Sequence, residues 1–157
     1  MSASQLTRHA IQAGRAAAPG RRALGEVVAT CHAHEATLWV ISRDGLAMEG
    51  ALNHGATPQI LENVSVPLDA SVVGMVASNG LSASIGADHY RHPGPEREGG
   101  ATVQAMIAAP VYVRQKIVGV LSAIKSACGD LFTPDDLEAL NRAADLMGKL
   151  LADTDEG

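Results

Sequence analysis

Hydrophobic positions change their period several times along the chain, and each change marks a predicted change of element. Residues 4–17 are Ala-rich with few breakers, Pro19-Gly20 punctuates, and 21–34 resumes with Leu24, Val27, Val28 and Cys31 at spacings of three and four, the period of one helical face. Two helical segments with a break at 19–20 are predicted. From Ala36 the run Ala-Thr-Leu-Trp-Val-Ile-Ser is rich in strand formers and precedes Arg43-Asp44-Gly45, a hairpin signal. Strands are expected at 36–42 and 46–53. Leu38, Trp39, Val40 and Ile41 are consecutive apolar residues, so the sheet should be covered on both faces.

The second half continues the alternation. Residues 64–67 read as a short strand, Ser71 is placed to cap a helix over 72–78 ending at Asn79-Gly80, and 81–85 reads as a further strand. Residues 86–102 hold four glycines and two prolines without usable period, the mark of a functional lid or a disordered segment. Two β-rich runs, 103–113 and 116–125, flank Arg114-Gln115 as a hairpin. Thr133-Pro134-Asp135-Asp136 then combines an N-cap, a proline at the first helical position and acids in the first turn, before an apolar stripe of Leu137, Leu140, Ala144, Met147 and Leu151. The order predicts an α+β domain with an antiparallel sheet between helical layers. There is no internal repeat.

Composition narrows the function classes. A chain of 157 residues is one domain's worth. The expected division is an N-terminal helical extension over 1–20, one domain over 21–152 and an acidic tail over 153–157. No apolar run approaches the roughly 20 residues of a membrane span, and a net charge of −5 lacks the basic surplus that nucleic acid demands. Neither membrane nor nucleic acid is an expected partner. Two cysteines, Cys31 and Cys128, are too few for a disulfide framework, and with no secretory signal pattern the expected location is the cytoplasm. The first 22 residues carry Arg8, Arg15, Arg21 and Arg22 without an acid, whereas 130–157 carries eight acids against Arg142 and Lys149. The basic start fits a surface helix better than a transit peptide.

At this point three stretches resemble a known family. Val66-Pro67-Leu68-Asp69-Ala70-Ser71-Val72-Val73-Gly74-Met75-Val76-Ala77-Ser78-Asn79-Gly80 resembles the strand, helix, glycine stretch of GAF domains. Met106-Ile107-Ala108-Ala109-Pro110-Val111-Tyr112-Val113 with Lys116-Ile117-Val118-Gly119-Val120-Leu121, and Phe132-Thr133-Pro134-Asp135-Asp136-Leu137-Glu138-Ala139-Leu140, follow in the family's order, over about 21–152. The resemblance implies a stand-alone GAF-type sensory fold: a central antiparallel sheet, terminal helices on one face, and a pocket on the other closed by the short helix and the long loop. Members bind cyclic nucleotides, bilins, haem, nitrate or other metabolites, and many dimerise through their terminal helices. Of a cyclic-nucleotide signature of Asn-Lys, Phe and Asp-Glu, Lys125, Phe132 and Asp136 match while Ile124 and Leu137 depart, which weakens that role. The family's enzymatic branch reduces free methionine sulfoxide with cysteines at its pocket. No cysteine lies in 50–113, so neither that activity nor covalent bilin attachment is expected.

The candidate chemistry is correspondingly modest. If Ser71 caps the short helix, the N–H groups of Val72, Val73 and Gly74 could hold an anion or a polar ligand oxygen, with Gly74 permitting close approach. Trp39, Ile41, Met75 and Met106 are candidates for apolar pocket walls, although each is equally an expected core residue. His89, Tyr90 and His92 offer ligand contacts, a haem iron ligand among them, on a loop that is otherwise simply solvated. Cys31 and His34 would share a helix face as half of a tetrahedral metal site, but no second cluster completes one. No phosphate loop, nucleophile elbow or His-Glu metal motif occurs, and no enzyme is expected. With four aromatics in all, the composition favours a small polar or anionic ligand over a large flat cofactor. The expected function is a sensory or regulatory module, homodimeric through its terminal helices and acting on a signalling partner protein. The alternatives are a non-binding dimerisation or adaptor domain and a free methionine sulfoxide reductase.

Overall fold

The strand-forming run at 35–41 lies at the centre of a six-stranded antiparallel sheet in a computed structural model, which describes residues 17–55, 64–86, 105–125 and 131–156. Helix α1 (Ala17–Cys31) leads into β1 (Glu35–Ile41), β2 (Ala47–His54), β3 (Ser65–Pro67) and a 3-10 turn (Leu68–Ala70). Helix α2 (Val72–Asn79), β4 (Ala83–Gly86), β5 (Ala105–Val113), β6 (Lys116–Lys125) and α3 (Pro134–Glu156) follow. The strand order is β3-β2-β1-β6-β5-β4. The α+β class with terminal helices and an antiparallel sheet is the architecture read from the sequence.

Two separate apolar clusters sit on opposite faces of this sheet, as the continuous apolar run of β1 predicts. Ala36, Leu38 and Val40 point to a cluster with Leu24, Leu140, Ala144, Met147 and Leu151 of α1 and α3. Trp39 points the other way, to a cluster with Met48, Met106, Val120 and the α2 residues Val72, Val73 and Val76. Each fully buried leucine contributes roughly 1.5–3 kcal/mol relative to exposure, so α3 is held by its stripe and not by helix propensity.

The helix boundaries refine the expectations. No break occurs at 19–20: Pro19 and Gly20 lie inside α1, in its first turn, where a proline costs no intrahelical hydrogen bond. The segment 4–16 lies outside the described residues. Helix α1 stops at Cys31 because His32 adopts a left-handed φ of 53°, and Ala33 N–H donates 3.0 Å to Val28 O, the six-residue closure of a Schellman motif. Cys31 and His34 therefore do not share a helix face. Cys31 is buried and His34 exposed beyond the helix end. At α3, Thr133 and Asp136 form a reciprocal capping box: Asp136 N–H donates to Thr133 Oγ1 at 3.1 Å and Thr133 N–H to Asp136 Oδ2 at 2.9 Å. Pro110 is tolerated in β5 because β4 pairs only with Ala105–Ala108, so β5 is an edge where the proline stands.

Candidate functional site

Side chains alternate across a strand, and on β1 the alternation puts Glu35, Thr37, Trp39 and Ile41 on the face toward α2. Register then assembles a site from three strands. Thr37 lies opposite Asn53 of β2 and opposite Ser122 of β6. Asn53, Thr37 and Ser122 thus form one polar row across β2, β1 and β6, and all three are buried, as is Glu35 one row further. Asn53 Nδ2 donates to Thr37 Oγ1 at 2.7 Å. Trp39, in the row on the other side, donates from its indole Nε1 to Ser122 Oγ at 2.9 Å. Polar groups are buried at a cost unless they are hydrogen-bonded, and this row departs from an otherwise apolar sheet face.

The apolar wall beside the row contains several of the predicted residues. Trp39, Val72, Val73 and Met106 are each buried in the cluster between sheet and α2, and Ile41 packs against it. Met75 does not join them: it stands on the outer side of α2, 45% exposed. His89, Tyr90 and His92 lie outside the described residues.

The start of α2 is closed by its own chain. Ser71 Oγ accepts from Gly74 N–H at 3.0 Å and donates to Pro67 O at 2.7 Å. Met75 N–H donates to Ser71 O at 3.0 Å. A Cβ at Gly74 would lie 2.0 Å from Leu68 O, so the close approach that this glycine permits is made by the 3-10 turn. The cap expected at Ser71 is present, and the space expected to receive an anion beside Gly74 is occupied by Leu68.

Cys31 sits on the opposite face of the sheet, fully buried in the terminal-helix cluster, with its thiol 3.6 Å from Asp136 O. Burial, then the Asp136 charge, push its pKa up, which is the reverse of what an activated thiol needs. Cys128 lies outside the described residues. The partial signature residues are also on that side: Lys125 Nζ lies 4.8 Å from the Phe132 ring centroid and donates to Leu131 O at 3.2 Å, while Asp136 is engaged in the cap of α3. Among the described residues no group of three or more His, Cys, Asp and Glu could hold a metal ion, and no helix is long and apolar enough to cross a membrane.

Thr37, Asn53, Ser122 and Glu35 were absent from the sequence candidates. The available signal was a lone polar residue inside an apolar strand, Thr37 in Ala-Thr-Leu-Trp and Ser122 in Val-Leu-Ser-Ala. Their grouping depends on register.

A family model described as "GAF domain" matches residues 20–151 of the chain. Solved structures share its fold at low identity. The GAF-B domain of DevS from Mycobacterium smegmatis is 17% identical with a TM-score of 0.68, over 83% of this chain and 88% of that one. The GAF domain of a phosphoenolpyruvate-protein phosphotransferase from Acinetobacter is 17% identical with a TM-score of 0.68, over 98% and 95%. A free methionine-R-sulfoxide reductase from Neisseria meningitidis, solved with its substrate, is 15% identical with a TM-score of 0.69, over 87% and 77%. No curated protein matches significantly.

Proposed function

The chain belongs to the GAF domain family, and from that premise we propose that it is a small-molecule-binding sensory and regulatory module whose ligand sits on the sheet face beneath α2. The observation that carries this reading is the buried row Asn53, Thr37 and Ser122 with Glu35 beside it. Two hydroxyls and a carboxamide supply both donors and acceptors, and an adjacent carboxylate favours a ligand that brings hydrogen-bond donors or positive charge. Self-capping at Ser71 removes the main argument for an anion at the helix end. The reading is therefore a small polar molecule, bound without chemistry.

Reductase activity is the second reading, raised by the structural likeness to the Neisseria enzyme. The position of Cys31 across the sheet from the row speaks against it as a catalytic thiol. A signalling partner protein receives the output, and we propose that the terminal helices carry it as a homodimer. Between α1 and α3 runs a groove of about 190 Å³, with Ala23, Ala139 and Ala143 in its lining, Leu146 prominent beside them, and Glu26 and Arg142 of opposite sign. Such a surface offers a knob, a hole and both charges at once, which suits the self-complementary contact of a two-fold dimer.

A thermal-melt screen against inorganic anions, small carboxylates, amines, amino acids, cyclic nucleotides, haem and free methionine sulfoxide tests the binding reading. A ligand at 100 times its Kd is expected to stabilise by about 2.7 kcal/mol, and Thr37→Val is expected to remove that gain. Silence across the panel favours the adaptor alternative.

A further inference from the structure

We propose that the four residues leaving α2, 79–82, are a rigid strut that carries displacements of α2 around the sheet edge to α3; the inference rests on the α2 face being the ligand site. Each residue of this exit is tied. Asn79 Oδ1 accepts from Leu81 N–H at 2.9 Å. Gly80 closes the helix with φ 72° and an N–H bond of 2.9 Å to Val76 O. Ser82 Oγ donates to Asn141 Oδ1 of α3 at 2.5 Å. Leu81 itself is 68% exposed, so the exit is positioned by these ties and not by burial of its one large apolar side chain.

A second tie runs through Tyr112 of β5. A Cβ at Gly80 would lie 2.9 Å from the Tyr112 hydroxyl, and a Cβ at Gly148 of α3 would lie 2.2 Å from the Tyr112 carbonyl oxygen. One residue thus sets its hydroxyl beside Gly80 at the end of α2 and its carbonyl beside Gly148 of α3. Asn141 and Gly148 are seven residues apart on α3, about two helical turns and hence one face. The exit of α2 therefore meets α3 directly at Asn141 and through Tyr112 at Gly148. These contacts cluster where β5 has run past its pairing with β4, which reaches only Ala108. Elsewhere the six-stranded sheet separates the two helices, and a shift of α2 is spread over many packed side chains. The strut offers a short path, and chains of hydrogen bonds and packed groups of this kind carry coupling between sites.

The test uses the full chain and backbone amide chemical shifts. Ser71→Ala loosens the start of α2 and is expected to move the amide resonances of Asn141 and Gly148. In the Ser82→Ala, Tyr112→Ala background those two changes are lost, while the changes in β1 and β6 beneath α2 remain. Changes at Asn141 and Gly148 that persist in that background, or that are absent with the strut intact, overturn the proposal. If the double background does not fold, Ser82→Ala alone gives the same comparison at Asn141. No ligand is needed, so a negative result here leaves the binding reading intact, and a silent ligand screen leaves this result standing.

Discussion

The indole N–H of Trp39 donates 2.9 Å to Ser122 Oγ across β1 and β6, between residues 83 apart in sequence. Trp39 faces Val120 in the register, not Ser122, so the indole leans over the neighbouring row and makes the boundary between the apolar wall under α2 and the polar row. Removing the donor leaves a buried hydroxyl short of a partner. Trp39→Phe is expected to cost about 1–3 kcal/mol, read as a lower urea midpoint with unchanged slope. Adding Ser122→Ala should recover part of that loss, because both ends of the bond are then gone. Strict additivity of the two substitutions would count against the pairing.

The cap of α2 makes a graded prediction. Ser71→Ala is expected to cost about 1 kcal/mol and Ser71→Gly only a few tenths. Gly74→Ala should cost more than either, by overpacking of about 1–3 kcal/mol or more, since its Cβ would meet a backbone oxygen of Leu68. Urea denaturation should rank the loss smallest for Ser71→Gly, larger for Ser71→Ala and largest for Gly74→Ala.

The β5–β6 hairpin holds both turn residues in left-handed conformation, Arg114 at φ 53° and Gln115 at φ 67°. This is the turn that suits strand twist, yet neither residue is the Gly or Asn that it favours. Gln115→Gly is expected to raise stability by about 1 kcal/mol, visible as a higher melting temperature. A lower one would mean that the Gln115 side chain supplies a contact outweighing the strain.

Cys31 is expected to resist modification. In a Cys128→Ser background, Ellman's reagent at pH 8 should react with Cys31 only after unfolding, because the thiol is buried with its pKa raised. The sign for stability follows: below the unfolded thiol pKa, about 8.5, both states are protonated and stability is unaffected. As pH rises past that value the unfolded chain ionises first, and stability falls until the folded thiol also titrates. Cys31→Ala should abolish that component of the alkaline slope.

Leu146 is 61% exposed on α3 beside the alanine-lined groove. If the groove joins two copies, Leu146→Glu should shift sedimentation from dimer to monomer while leaving the urea midpoint of the monomer within about 0.5 kcal/mol of its parent. A parent protein that sediments as a monomer at high concentration would remove the dimer from the model of signalling.

Much of the fold was determined by local chemistry and therefore readable before any coordinates. The turn at Asp44-Gly45, the cap at Ser71, the stop at Gly80 and the Thr133-Pro134 start of α3 each depend on residues within four positions of one another, and all four stand where the pattern puts them. The break at Pro19-Gly20 misled because a proline in the first turn of a helix and one before a helix look alike in sequence. Met75 misled because α2 is apolar on more than the side it buries. The polar row was beyond local reading: Asn53, Thr37 and Ser122 come from three strands, and only the register of β1 against β2 and β6 makes them neighbours. At Gly74 the sequence marks a place of close approach, and tertiary packing decided that Leu68 of the 3-10 turn fills it. Sequence determined the elements because capping, turn and periodicity forces act over a few residues. The tertiary structure alone decided which side chains meet on the sheet face, because strand pairing joins residues that no local force relates.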